Sequence, residues 1–159
     1  MDELAHLRWT RLEQHVAVEA AALGFVDGSV LPSIERGEQI IADFDDTDFL
    51  LGGRRGVTVS TGGDGCFDLQ VAHDEAGRLT AVRSEFVDDI AELDGVEGQW
   101  TDWEHIDIDS GRLLACDPFC VSLPASRVFI DAPNGRHRVQ TWKWRSGEVL
   151  AVRVVFERN

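Results

Sequence analysis

Positive charge is scarce and almost all of it is arginine. The 159 residues hold one lysine, Lys143, and set 15 Lys and Arg against 29 Asp and Glu, for a formal net charge of −14. That balance argues against nucleic acid or an anionic membrane as the main partner, because both recruit basic surface. No apolar run approaches the ~20 residues a membrane span needs. The opening Met1–His6 has neither the basic n-region nor the apolar h-region of a secretory signal. Cytoplasm is therefore the expected location, where Cys66, Cys116 and Cys120 are expected to stay reduced. The chain also lacks a serine-triad elbow, a Rossmann fingerprint and any nucleic-acid motif. No cofactor is expected.

Apolar residues make up 43% of the chain, enough for a core, and the length suits one domain over residues 1–159. Residues 2–23 read as a helix: Leu4, Leu7, Leu12, Val16, Ala20 and Leu23 recur at helical spacing, with Asp2 placed to cap the start and Gly24 to end it. Trp9, at the edge of that stripe, is expected in the core. Beyond Gly24 the period becomes two. Val57–Ser60, Phe67–Val71 and Leu79–Val87 read as a meander of strands, joined by turns at Gly62–Gly65 and His73–Gly77.

The meander returns. Residues 135–156 align with residues 65–86 at a shift of 70 without a gap, and seven of the 22 positions are identical, among them Gln70/Gln140, Arg83/Arg153 and Phe86/Phe156. About one or two would be expected by chance. Upstream, Gly37 to Asp43 matches Gly111 to Asp117 at a shift of 74. The expected architecture is α+β and mostly β: an N-terminal helix packed on a duplicated antiparallel β-sandwich or flattened barrel with pseudo-twofold symmetry. Its parts would be helix 2–23, one β-unit over 30–87, an acidic linker over 88–103 and a second unit over 104–157.

The segment Ser110–Phe119 carries a Gly-x-apolar-x-Ala-x-Asp-Pro block. Pro133-Asn134-Gly135, a strand with Val139, and a closing Gly147–Arg153 strand follow. In this order, over about the last 50 residues, the chain resembles the bacterial family described as domain of unknown function 4241. The resemblance implies a bacterial, β-rich protein and brings no catalytic residue with it.

Several residues qualify as site candidates. Asp43 and Asp117 end matched strands and could act as general bases or metal ligands. Their repetition in both copies fits a scaffold role better, and each is expected to pair with the matched arginine, Asp43 with Arg83 and Asp117 with Arg153. His105, Asp107 and Asp109 alternate with isoleucines, so a strand would set all three on one face, as metal ligands or as an ordinary solvated row. Asp43–Asp48 resembles a calcium loop but lacks its glycine and closing glutamate. Cys116 and Cys120 show no four-ligand zinc spacing, and Cys116 aligns with Ala42, as a small buried residue would. Trp142 and Trp144 share a strand face, as a stacking surface or, more simply, as core between helix and sheet.

Charge asymmetry bears most on function. From Glu85 to Asp109 there are ten acidic residues and no basic one, whereas Gly135–Asn159 holds six basic and two acidic. The expectation is a non-enzymatic binding protein, of immunity or antitoxin type. Its acidic face (Asp88, Asp89, Glu92, Asp94, Glu97, Asp102, Glu104) would hold a basic protein. The alternative is a small metal-assisted hydrolase built on His105, Asp107 and Asp109, perhaps with Asp117.

Overall fold

The structure is a computed structural model. It describes residue 4 and residues 6–42, 47–87, 100–143 and 147–157. Eleven strands run through the described residues: β1 (Arg8–Val18), β2 (Ala22–Asp27), β3 (Asp48–Leu51), β4 (Arg54–Ser60), β5 (Gly65–His73), β6 (Leu79–Glu85), β7 (Thr101–Ile108), β8 (Arg112–Cys116), β9 (Arg127–Asp131), β10 (Gly135–Lys143) and β11 (Val149–Val155). The single α-helix among them, α1, is the short Leu31–Glu35. Among the described residues no helix is long and apolar enough to cross a membrane.

Two antiparallel sheets face each other. One has six strands in the order β1-β5-β6-β11-β10-β7, and the other has five in the order β3-β4-β2-β8-β9. Alternation along the strands sends Leu69, Val71, Val82, Val139, Val152 and Val154 of the first sheet inwards. They meet Leu23, Phe25, Val57, Val59, Leu113 and Ala115 of the second, which closes the core.

The expected N-terminal helix is absent; its residues form β1 and the start of β2. The reason lies in a bulge. Arg11 stands opposite Gln70 and His15 opposite Asp68, so four residue steps on β1 span two on β5. The extra residues interrupt the period of two and give Leu12, Val16 and Leu23 a helix-like spacing. Pairing with β5 then decides the conformation, because helix and strand both satisfy the backbone, and the strand is the one that buries Val16 and Val18 in the core between the sheets.

The order of the six-stranded sheet reads alike from either edge when β1, β5 and β6 are set against β7, β10 and β11; in the five-stranded sheet β4-β2 stands against β9-β8 in the same way, with β3 as an extra edge strand. At the centre of the larger sheet Arg83 lies opposite Arg153. β7 begins at Thr101, so the assignment of Thr101–Trp103 to a linker is corrected. Residues 88–99 lie outside the described residues. A shift of 90 takes Glu19, Ala20 and Asp27 to Asp109, Ser110 and Asp117. In the strand order β2, ending on Asp27, stands beside β8, ending just before Asp117. β3 and α1 lie between β2 and β4 and have no counterpart between β8 and β9.

One consequence concerns Ala21, which turns β1 into β2 with φ at 53°, a left-handed conformation that costs an alanine about 1 kcal/mol. Its match is Gly111, at φ 74°. Ala21→Gly is expected to raise the unfolding free energy by roughly 0.5 kcal/mol, after the greater freedom of glycine in the unfolded chain is counted. A denaturant titration with unchanged slope would record it.

Candidate functional site

β7 is the outer strand of the six-stranded sheet beyond β10, and its exposed residues include Asp102, His105 and Asp107, with Asp109 just past its end. Arginines from the strands around it meet this row. Arg136 grips Asp107 with Nε at 3.0 Å and Nη2 at 3.3 Å. Arg54 Nη1 donates to Asp109 at 2.7 Å and its Nη2 lies 3.7 Å from Asp27. Arg55 reaches Glu104 at 2.9 Å, Asp48 at 3.3 Å and the His105 carbonyl at 2.9 Å. Arg138 contacts Asp102 at 3.4 Å and also pairs with Glu157. A groove of about 660 Å³ runs between Arg54, Arg55, His105, Asp107, Asp109 and Arg136.

The three residues expected as metal ligands stand within this network. His105 and Asp107 do share a face, but the carboxylates are already committed to guanidinium groups. Among the described residues no group of three His, Cys, Asp or Glu could hold a metal ion. The Arg136 hydrogen bond holds the Asp107 carboxyl below its ordinary range, overcoming the opposing effect of burial. Asp88, Asp89, Glu92, Asp94 and Glu97 lie outside the described residues, as do Asp43–Asp46 of the resembled calcium loop. Asp48 of that loop is a β3 residue paired with Arg55.

The expected Asp117–Arg153 pair does not form. Asp117, fully buried after β8, accepts three backbone N–H bonds: Glu19 and Ala20 at 2.8 Å on Oδ2, and Phe119 at 3.0 Å on Oδ1. Asp27 does the same at the matched place, accepting the N–H of Ser29 and Asp109 at 2.9 Å and of Ser110 at 3.1 Å. Each carboxylate ties the end of one central strand to the hairpin of the other half. Asp117 is therefore no reacting group, and Asp43, the expected partner of Arg83, lies outside the described residues.

The matched arginines belong elsewhere. Arg83 donates through Nε to Gln70 and lies 4.0 Å from the centre of the Trp9 ring. Arg153, 1% exposed, donates to Gln140 at 2.8 Å and lies 4.3 Å from the centre of Trp100. Each half thus carries one Trp–Arg–Gln stack, a cation held against a ring face. Trp142 is half-buried and meets Trp100 edge-on at 5.7 Å, in a cluster with Leu150 apart from the inter-sheet core, so it does not fill a space between helix and sheet. Trp144 lies outside the described residues. Burial, with Asp117 adding to it, pushes the Cys116 thiol far up, and burial first and then nearby carboxylates raise Cys120, so neither is an activated thiolate, while Cys66 is exposed.

Asp27 sets an acid limit. Burial alone would raise its carboxyl, but hydrogen bonds from Ser29, Asp109 and Ser110 outweigh that and lower it from 3.8 to about 2. A carboxylate depressed in the fold stabilises fully above its unfolded value and loses that contribution as pH falls. About 2 kcal/mol is expected to disappear between roughly pH 4 and pH 2. An acid-unfolding series in which Asp27→Asn keeps the same slope there would contradict this.

Searched against family models, curated proteins and solved structures, the chain matches none. The site geometry alone therefore carries the functional reading.

Proposed function

We propose that the chain is a bacterial, non-enzymatic binding protein of the immunity or antitoxin type, which holds a basic protein on the side of its β-sandwich formed by β7, β4 and β3. One observation carries this reading. Seven carboxylates (Asp27, Asp48, Asp102, Glu104, Asp107, Asp109 and Glu157) share four guanidiniums there, those of Arg54, Arg55, Arg136 and Arg138. Even fully paired, the network keeps an excess of negative charge. Most of these pairs are solvent-exposed and so worth under about 1 kcal/mol each. An incoming arginine can exchange with the resident ones at little cost, and the network steers a basic partner without holding it rigidly.

The two matched halves we read as copies of one ancestral unit, supported by the palindromic strand order, the seven identities and the repeated carboxylate ties and Trp–Arg–Gln stacks. On that reading shared residues serve the scaffold, and features of one half are where binding was added. Apart from Asp27, which is matched by Asp117, the network is such a feature. Arg136 and Asp107 have Cys66 and Ala17 at the matched places.

The test is calorimetric titration with an arginine-rich polypeptide. The triple variant Asp102→Asn, Asp107→Asn, Asp109→Asn should bind at least about tenfold more weakly, and raising salt from 50 to 200 mM should weaken the wild type further. The control Glu13→Gln, Glu75→Gln alters exposed residues elsewhere and should bind as the wild type does. Equal loss in both variants, or indifference to salt, would overturn the reading.

A further inference from the structure

Ile41 and Leu50 are among the most exposed large apolar side chains described, at 72% and 44%. They are also cross-strand partners. Ile41 N–H donates to the Leu50 carbonyl at 2.8 Å, and Leu50 N–H to the Ile41 carbonyl at 3.1 Å. Directly paired residues point to the same side. On its other flank Leu50 pairs with Arg55 of β4, so Ile41, Leu50 and Arg55 form one row across three neighbouring stretches of chain. Asp48, two residues before Leu50 on β3, shares that face. Arg55 links it to Asp48 and on to Glu104 of β7.

From this juxtaposition we propose that Ile41 and Leu50 are the apolar anchor point of a docking surface, and that its occupant is a basic protein segment that seats an apolar side chain on them and arginines on Asp48 and Glu104. The inference rests on the reading of the chain as a binder of basic protein, and it adds the place and the shape of the contact. Charge complementarity selects the occupant, because the apolar pair opens directly onto the carboxylate-rich network. Interfaces commonly have this plan, with an apolar centre and a charged rim. The fold gives a second reason. β3 belongs to the stretch between β2 and β4 that has no counterpart between β8 and β9; its Phe49 and Leu51 pack into the core, which leaves Asp48 and Leu50 facing outwards and open to a partner. In sequence, residues 28–51 carry six acidic residues and one basic. Strand addition along β3 is hindered, since Ile41 already takes both backbone groups of Leu50 on its outer side. Recognition there runs through side chains.

The experiment uses two synthetic peptides, one with a Leu-Leu pair flanked by arginines and one with Ser-Ser in its place. They are titrated by calorimetry into the full chain and into Ile41→Ser, Leu50→Ser. Both changes are at exposed positions, and unfolding curves check that the variant stays folded. The Leu-Leu peptide is expected to bind the wild type at least tenfold more tightly than it binds the variant, and at least tenfold more tightly than the Ser-Ser peptide binds the wild type. Salt-sensitive binding of both peptides that ignores the double serine variant would overturn the anchor while leaving the basic-partner reading standing. Absence of any salt-sensitive binding would remove both. Sedimentation showing a wild-type dimer that the serine variant abolishes would make a second copy the occupant, and would overturn the inference.

Discussion

Asp117→Ala is expected to lower the unfolding free energy by about 4 kcal/mol, close to the whole stability of a marginal domain. The carboxylate takes three backbone N–H groups at 2.8 to 3.0 Å in a site with no exposure. Alanine returns none of those bonds, and bonds to a charged acceptor are worth more than ordinary ones. Water entering the vacated space would recover part of the loss, so the figure stays below the sum of three such bonds. Asp27→Ala should cost a similar amount, because Asp27 serves the mirror-placed ties to Ser29, Asp109 and Ser110. Guanidinium unfolding of both variants checks the size and the equality of the two effects. A loss under 1 kcal/mol for either would mean that its N–H groups find partners elsewhere.

Gly56→Ala should be the next most damaging change. A Cβ there would stand 2.3 Å from Phe49 Cζ, 2.7 Å from its Cε1 and 2.8 Å from the Phe25 carbonyl oxygen. Phe49 cannot swing aside freely, since its Cε1 would also lie 2.9 Å from a Cβ on Gly24 and its ring is buried beside Ile34 and Leu51. The ring thus lies across two glycines of adjacent strands, a fit with no spare room. Overpacking of this kind costs about 3 kcal/mol, which for a chain of this size lowers the melting temperature by roughly 6 to 12 °C. Gly63→Ala, with nothing within 4 Å of its added Cβ, is the control and should melt close to the wild type.

The sequence was most readable where alternation runs unbroken. β4, β5 and β6 follow from Val57–Ser60, Phe67–Val71 and Leu79 onward, and the stretches related by the shift of 70 are the antiparallel pairs β5–β6 and β10–β11. β1 was not readable as a strand because its bulge between Arg11 and His15 breaks the period that marks one. The match of Asp27 with Asp117 was hidden by the residues of α1 and β3, which change the shift from 90 to 70 within one half. His15/His105, Leu23/Leu113 and Asp27/Asp117 at a common shift of 90 were the available signal. The Asp117–Arg153 pair failed for a topological reason: Asp117 follows β8 of the smaller sheet, whereas Arg153 sits on β11 of the larger. The row His105, Asp107, Asp109 was foreseen, but its three arginines, Arg54, Arg55 and Arg136, come from β4 and β10, and periodicity says nothing about which strands become neighbours.

Amide chemical-shift mapping of the labelled protein during titration with an arginine-rich peptide tests the functional account most directly. Shifts should gather at Ile41, Asp48–Leu51, Arg54, Arg55 and Thr101–Asp109, and leave β1 and β9 unmoved. Shifts centred on β1 and β9, or spread evenly over both halves, would mean that the partner reads the shared scaffold and not what one half has added to it.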